Sequence, residues 1–127
     1  MEAPSIDEIE RLARETYVKL PGKFRDLCGD VVFMVQEFPS DDVMHELNLE
    51  SEFDLLGLYQ GSTLADRVGN RDRPEPTMIF LYRRPILDYW AEHRGSLGAI
   101  VRHVTVHEIG HHFGLSDDDM EAIEEGD

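Results

Sequence analysis

Eleven residues near the end of the chain, His107-Glu108-Ile109-Gly110-His111-His112-Phe113-Gly114-Leu115-Ser116-Asp117, restrict its fold more than any other feature. Two histidines at i and i+4 stand about 40° apart around an α-helix and one turn apart along it. Both imidazoles can therefore reach one zinc ion at about 2.0–2.1 Å, provided that residues 107–111 are helical. Glu108 projects beside such an ion. There it can take a proton from water at the metal, whose pKa zinc lowers toward about 7, and later pass that proton to a leaving group. A catalytic site also needs a third protein ligand and an open fourth position. Gly114 allows a left-handed bend that returns the chain toward the ion. Asp117 is the preferred third ligand, with Asp118 and Glu121 as alternatives.

Chance does not account for this spacing. In shuffled chains of the same composition, a bare HExxH arises in about three of a hundred, and the added glycine and aspartate reduce that to roughly one in several thousand. His45-Glu46-Leu47-Asn48-Leu49 starts the same way but has leucine where the second histidine belongs, so it is read as surface helix.

The remaining pattern supplies a scaffold. Ser5 can cap a helix, with Glu8 completing a capping box. Ile6, Ile9, Leu12, Ala13, Tyr17 and Leu20 form its apolar stripe, and Pro21-Gly22 stops it. Val31–Val35 reads as a buried strand. A short helix capped by Ser40 or Asp41 follows, through about Leu47. Leu55–Tyr59 reads as a second strand, in which Gly57 marks a bulge or a close backbone approach. Ser62–Pro76 is polar and aperiodic, an exposed loop carrying Arg67, Arg71 and Arg73. Thr77–Tyr82 is a third strand. Pro85 suits the first position of a helix over Ile86–His93. A long helix then runs from about Ser96 to His112, with Leu97, Ile100, Val101, Val104 and Ile109 on its apolar side. Ser116 can cap a last helix, with Asp119 three residues on.

The 127 residues suit one domain. Acidic residues number 27 against 12 basic, a formal charge of −15. That field repels phosphate backbones and anionic lipid, so neither nucleic acid nor a membrane surface is an expected partner. It favours cationic peptides. Cys28 has no partner for an internal disulfide, which fits a reducing cytoplasm. The N-terminus lacks an apolar signal region, and no run of about 18 apolar residues spans a membrane. A cytoplasmic monomer is the expectation.

At H-V-T-V-H-E-I-G-H-H-F-G-L-S-D the chain resembles the zincin metallopeptidases, and most closely the small, acidic, bacterial zincin-like proteins described as minimal metallopeptidases. The strand-to-helix passage T-M-I-F-L-Y-R-R-P-I-L shares the likeness. The resemblance implies a compact α+β zincin-like fold, with a small mixed sheet packed against a C-terminal active-site helix. It implies that His107, His111 and Asp117 bind zinc, that Glu108 is the catalytic base and that a peptide or protein is the substrate. Metzincins place a methionine turn after the third ligand; Met120, the methionine found there, is read as packing.

Neighbours of the motif have plainer readings. His103, one turn before His107, is read as a surface histidine ahead of a proton donor. His112 points away and is structural. Tyr59, Tyr82 and Arg83 are candidate electrophiles for a tetrahedral intermediate, although packing or solvent contact is favoured for each. A substrate peptide would lie along a sheet edge, either Leu55–Tyr59 or Thr77–Tyr82. The rival to a zinc metallopeptidase is a non-catalytic metal-binding or protein-interaction module on the same scaffold. Iron, manganese or nickel could also occupy two imidazoles and a carboxylate.

Overall fold

A computed structural model describes residues 3–22, 25, 31–61 and 77–125, without the side chains of residues 112, 117, 124 and 125. Cys28 and the 62–76 segment lie outside the described residues. Five helices and three strands are described here in chain order: α1 (Ile6–Lys19), β1 (Val31–Gln36), α2 (Asp41–Glu46), β2 (Gly57–Gln60), β3 (Thr77–Tyr82), α3 (Arg83–Glu92), α4 (Leu97–Phe113) and α5 (Asp117–Glu125).

Four of the helices start where a serine can accept a backbone N–H. Ser5 Oγ accepts from Glu8 N, Ser40 from Val43 N, Ser96 from Ala99 N and Ser116 from Asp119 N, at 3.0–3.2 Å. Each such cap contributes about 1 kcal/mol by pairing a donor that the helix leaves orphaned. α3 departs from expectation. It begins at Arg83, directly after β3, with Tyr82 as an N-cap that supplies no side-chain bond. Pro85 is therefore the third helical residue and not the first. It is still tolerated, because N–H groups of the first turn have no intrahelical partner.

The sheet is small and mixed, in the order β1-β3-β2. β1 runs parallel to β3 with Phe33 opposite Ile79, and β2 runs antiparallel with Gly57 opposite Leu81. The α+β architecture with a small mixed sheet is as expected, but β3 is central. Thr77–Tyr82 therefore cannot offer an open edge to a peptide, since both of its sides are already hydrogen-bonded. β2 also begins at Gly57 instead of Leu55.

One face of the sheet is covered by α1 and α4, which also pack on each other. Phe33, Ile79 and Leu81 point into this layer, and Tyr17 of α1 meets Phe33 edge-on with ring centroids 6.0 Å apart. Each fully buried Ile or Leu side chain contributes about 1.5–3 kcal/mol by leaving water. The α1 stripe differs from expectation at two places. Ile6 is exposed, whereas Thr16 is buried, its hydroxyl donating to the Leu12 carbonyl at 3.0 Å. α4 is enclosed on most sides: Val101, Val104, Thr105, Val106 and Ile109 are all buried. A helix so surrounded need not show a one-sided apolar pattern.

Arg83 closes the far end of the sheet. Its guanidinium donates to the Pro4 carbonyl at 2.7 Å and to both Glu37 carboxylate oxygens at 3.0 and 3.2 Å. Among the described residues no helix is long and apolar enough to cross a membrane.

Candidate active site

α4 carries the histidines because its two ends are firmly set. Ser96 caps the start, and Gly114 ends the helix in the left-handed region at φ 67°. The Gly114 and Leu115 amides return to the carbonyls of His111 and Gly110, at 3.2 and 3.0 Å. These bonds satisfy carbonyls that the helix would otherwise leave unpaired, and the positive φ suits glycine. The bend expected at Gly114 is thus present, and α5 starts three residues beyond it.

The His107 and His111 rings lie one turn apart on α4 with centroids 5.0 Å apart, inclined at 67°. Two imidazoles bound through nitrogen to one tetrahedral ion at about 2.0–2.1 Å place their ring centres roughly 5 Å apart. The pair fits that requirement. His111 Nδ1 lies 3.3 Å from Glu108 Oε1, which leaves Nε2 as the nitrogen free to ligate. The third donor is a separate matter. α5 begins with the backbone of Asp117, but the Asp117 side chain lies outside the described residues, as does that of His112. Among the described residues, no group of three His, Cys, Asp or Glu comes together to hold a metal. The alternatives Asp118 and Glu121 are both exposed and do not complete the pair.

Glu108 is 5% exposed, an unusual state for a carboxylate. Burial is the main force raising its pKa, to about 7, while the neighbouring His107 and a hydrogen bond from the Tyr59 backbone N–H pull it back down. Burial thus brings the proton affinity of this carboxyl toward the neutral range, where a group can accept and return a proton. Tyr82 lies close enough to feel the same charge. Burial, and then Glu108, raise its pKa, and the side chain is only 1% exposed.

Two glycines let this constellation pack. Gly57 marks a close approach: a Cβ there would lie 2.7 Å from Val104 Cγ1, 3.1 Å from the Phe80 carbonyl oxygen and 3.4 Å from Glu108 Cγ. Gly110, between the two histidines, is covered by Met120 of α5, whose Sδ and Cγ occupy the space of any added Cβ. Met120 is 4% exposed and packs, as expected.

The other expected neighbours separate clearly. Arg83 is engaged by Pro4 and Glu37 and is not directed to the histidines. Tyr82 is in the core, stacked near Phe80. Tyr59 contributes its backbone N–H to Glu108. His103 is exposed, with its ring 5.8 Å from that of His107. The decoy at His45 lies on α2, which ends at Glu46, and Asn48 turns away at φ 57°.

The groove beside the motif is not announced by the linear sequence. A cavity of about 680 Å³ is lined by His107, Glu108 and His111 at one end, and by Tyr89, His93 and Arg94 at the other. Its signal was present in residues 99, 100, 103, 104, 107, 108 and 111, a three-to-four spacing shared by groove and core alike.

A buried carboxylate and two imidazoles on one helix, beside a groove and below a small mixed sheet, are features of a metal-dependent hydrolase scaffold. Residues 28–127 match the family described as zincin-like metallopeptidase, and the chain belongs to that family. Zinc is the cofactor that membership implies. No curated protein was found to match the chain.

Proposed function

We propose that the chain is a zinc-dependent metallopeptidase, with Glu108 as general base and His107, His111 and Asp117 as metal ligands. The observation that carries this reading is the pair of imidazoles 5.0 Å apart beside a buried carboxylate at one end of a groove. Zinc in such a site supplies Lewis acidity, polarising the peptide carbonyl and acidifying water. Glu108 takes the proton from the attacking water and returns it to the departing amide nitrogen. The Tyr59 N–H fixes the carboxylate for that task, and the apolar packing around Glu108 keeps bulk water away from it. β2 lies at the sheet edge and leads out of the groove wall at Leu55 and Leu56, so an extended peptide would pair along it. The acting unit is one cytoplasmic, monomeric domain, and its charge of −15 draws in cationic peptides.

Elemental analysis of protein purified without added metal tests the ligands. The parent and Glu108→Gln should each hold about one zinc per chain, and His111→Ala and Asp117→Ala should lose it. Glu108→Gln should also abolish hydrolysis of a peptide library. If it hydrolyses as fast as the parent, the base assignment is wrong. Stoichiometric zinc with no turnover in the parent would instead make the chain a metal-binding interaction module.

A further inference from the structure

The groove continues well past the histidines. Its α4 wall comprises Ala99, Ile100, His103 and Val104 before reaching His107, so it follows the helix for about three turns. Leu55 and Leu56 face that wall, and with Ala99, Ile100 and Val104 they make the middle of the groove apolar. At the far end, Tyr89 and His93 are stacked, with centroids 3.7 Å apart and planes 9° from parallel. His93 Nδ1 is 2.8 Å from the Tyr89 carbonyl, which holds the ring in that stack. Next to it stands Arg94, on a turn tied down by the Trp90 indole N–H donating to the Gly95 carbonyl at 3.1 Å. Among the described residues no carboxylate pairs with Arg94, in a chain with 27 acidic residues. Among the described residues Glu108 is the one carboxylate in the lining, and it lies at the opposite end.

We infer that the groove selects peptides with apolar or aromatic side chains next to the scissile bond and a carboxylate about four residues along, which Arg94 receives. The spacing follows from the helix. His107 and Ile100 are seven residues apart, roughly 10 Å along the axis, which an extended peptide covers in about three residues; Arg94, on the turn before the Ser96 cap, lies beyond Ile100, so a fourth residue is needed to reach it. The carboxylate can belong to an aspartate or glutamate side chain or to a free C-terminus. The net negative charge does not oppose this. At physiological salt, charges more than about 8 Å away are largely screened, so the local cation decides the register even though the overall field favours cationic peptides in approach. The inference relies on the peptidase reading for what happens to the peptide, but not for its binding.

Calorimetric binding to the zinc-loaded Glu108→Gln chain tests it. Two amidated peptides of identical composition and net charge, each with leucine beside the cut, exchange a glutamate and a lysine between the fourth position and the distal end. A third peptide stops at the fourth position, as free acid or as amide, and separates the two sources of the carboxylate. Glutamate at the fourth position, or the free acid there, should bind about fivefold tighter than its counterpart, a modest factor because Arg94 is exposed. Arg94→Ala should level the pair, and Arg94→Glu should reverse it. Equal affinities in the parent sequence, equal losses for both peptides in Arg94→Ala, or no binding of any of them overturns the proposal. Turnover by the unsubstituted chain is scored separately. Cleavage without discrimination sinks the groove assignment and leaves the peptidase reading intact, whereas discrimination without cleavage does the reverse.

Discussion

Enclosure sets the proton affinity of Glu108. Its pKa rises from 4.5 to about 7 on folding, and the sign of the consequence is fixed. Below 4.5 the carboxyl is protonated in both folded and unfolded chains. Between 4.5 and about 7 the folded chain keeps a proton that the unfolded chain has released, so stability falls as pH rises. At 1.36 kcal/mol per pKa unit the loss approaches about 3 kcal/mol above neutrality. Urea unfolding of EDTA-treated protein should show this decline between pH 4.5 and about 7, and Glu108→Gln should remove that part of it. The same slope in both proteins would mean that Glu108 is not enclosed as described. At this scale the motif was fully legible, because HExxH is a helical spacing and needs no tertiary information. Burial of Glu108 was not, since it depends on β2 and its Gly57 approaching from elsewhere in the chain.

Contacts between elements rest on glycines. Adding a methyl at Gly57 forces Val104 or the Phe80 carbonyl to move, and overpacking of this kind costs about 1–3 kcal/mol. Because Glu108 Cγ lies only 3.4 Å from the same point, Gly57→Ala should lower both the thermal midpoint and the hydrolytic rate. Gly110→Ala sets two effects against each other. Alanine gains up to about 1 kcal/mol of helix propensity, but it displaces Met120 from its seat, a cost of about 1–3 kcal/mol. The expected net result is a loss of about 1 kcal/mol, and in a Met120→Ala background, which lacks the displaced side chain, the same glycine substitution should cost nothing. A double-mutant cycle by chemical denaturation measures that coupling, and purely additive effects would rule out the seat. The caps at Ser5 and Ser116 were readable because capping is local chemistry; the sequence leaves the start of α2 open between Ser40 and Asp41, and places that of α4 only at about Ser96. The start of α3 was not readable: Pro85 signals a first turn without saying which residue begins it, and β3 runs into the helix with no intervening loop. The central place of β3 was equally hidden, since strand order comes from long-range pairing that a hydrophobic run does not encode.

For the molecule as a whole, the charge of −15 and the implied zinc both have measurable effects. A ligand that binds only the folded chain stabilises it by RT ln(1 + [L]/Kd), about 2.7 kcal/mol at a hundredfold excess over Kd. Added zinc should therefore raise the unfolding midpoint of the parent and leave that of His111→Ala unchanged, as followed by calorimetry. Association with a cationic peptide should slow steeply between low and physiological salt, because the steering field is screened over about 8 Å. Salt-independent association rates would show that the overall charge serves solubility alone.

The contact of Gly57 with α4 leaves evolution, and the protein engineer, little freedom on one side of the cleft. A side chain at that position would act as a wedge, prising the strand from the helix and carrying Glu108 out of line. At the rim of the groove, His93 and Arg94 are exposed and can be exchanged, whereas Gly95 at φ 129° and the Ser96 cap of α4 cannot. Altered preference for bound peptides should accordingly be sought by randomising residues 93 and 94, with the strand opposite left untouched.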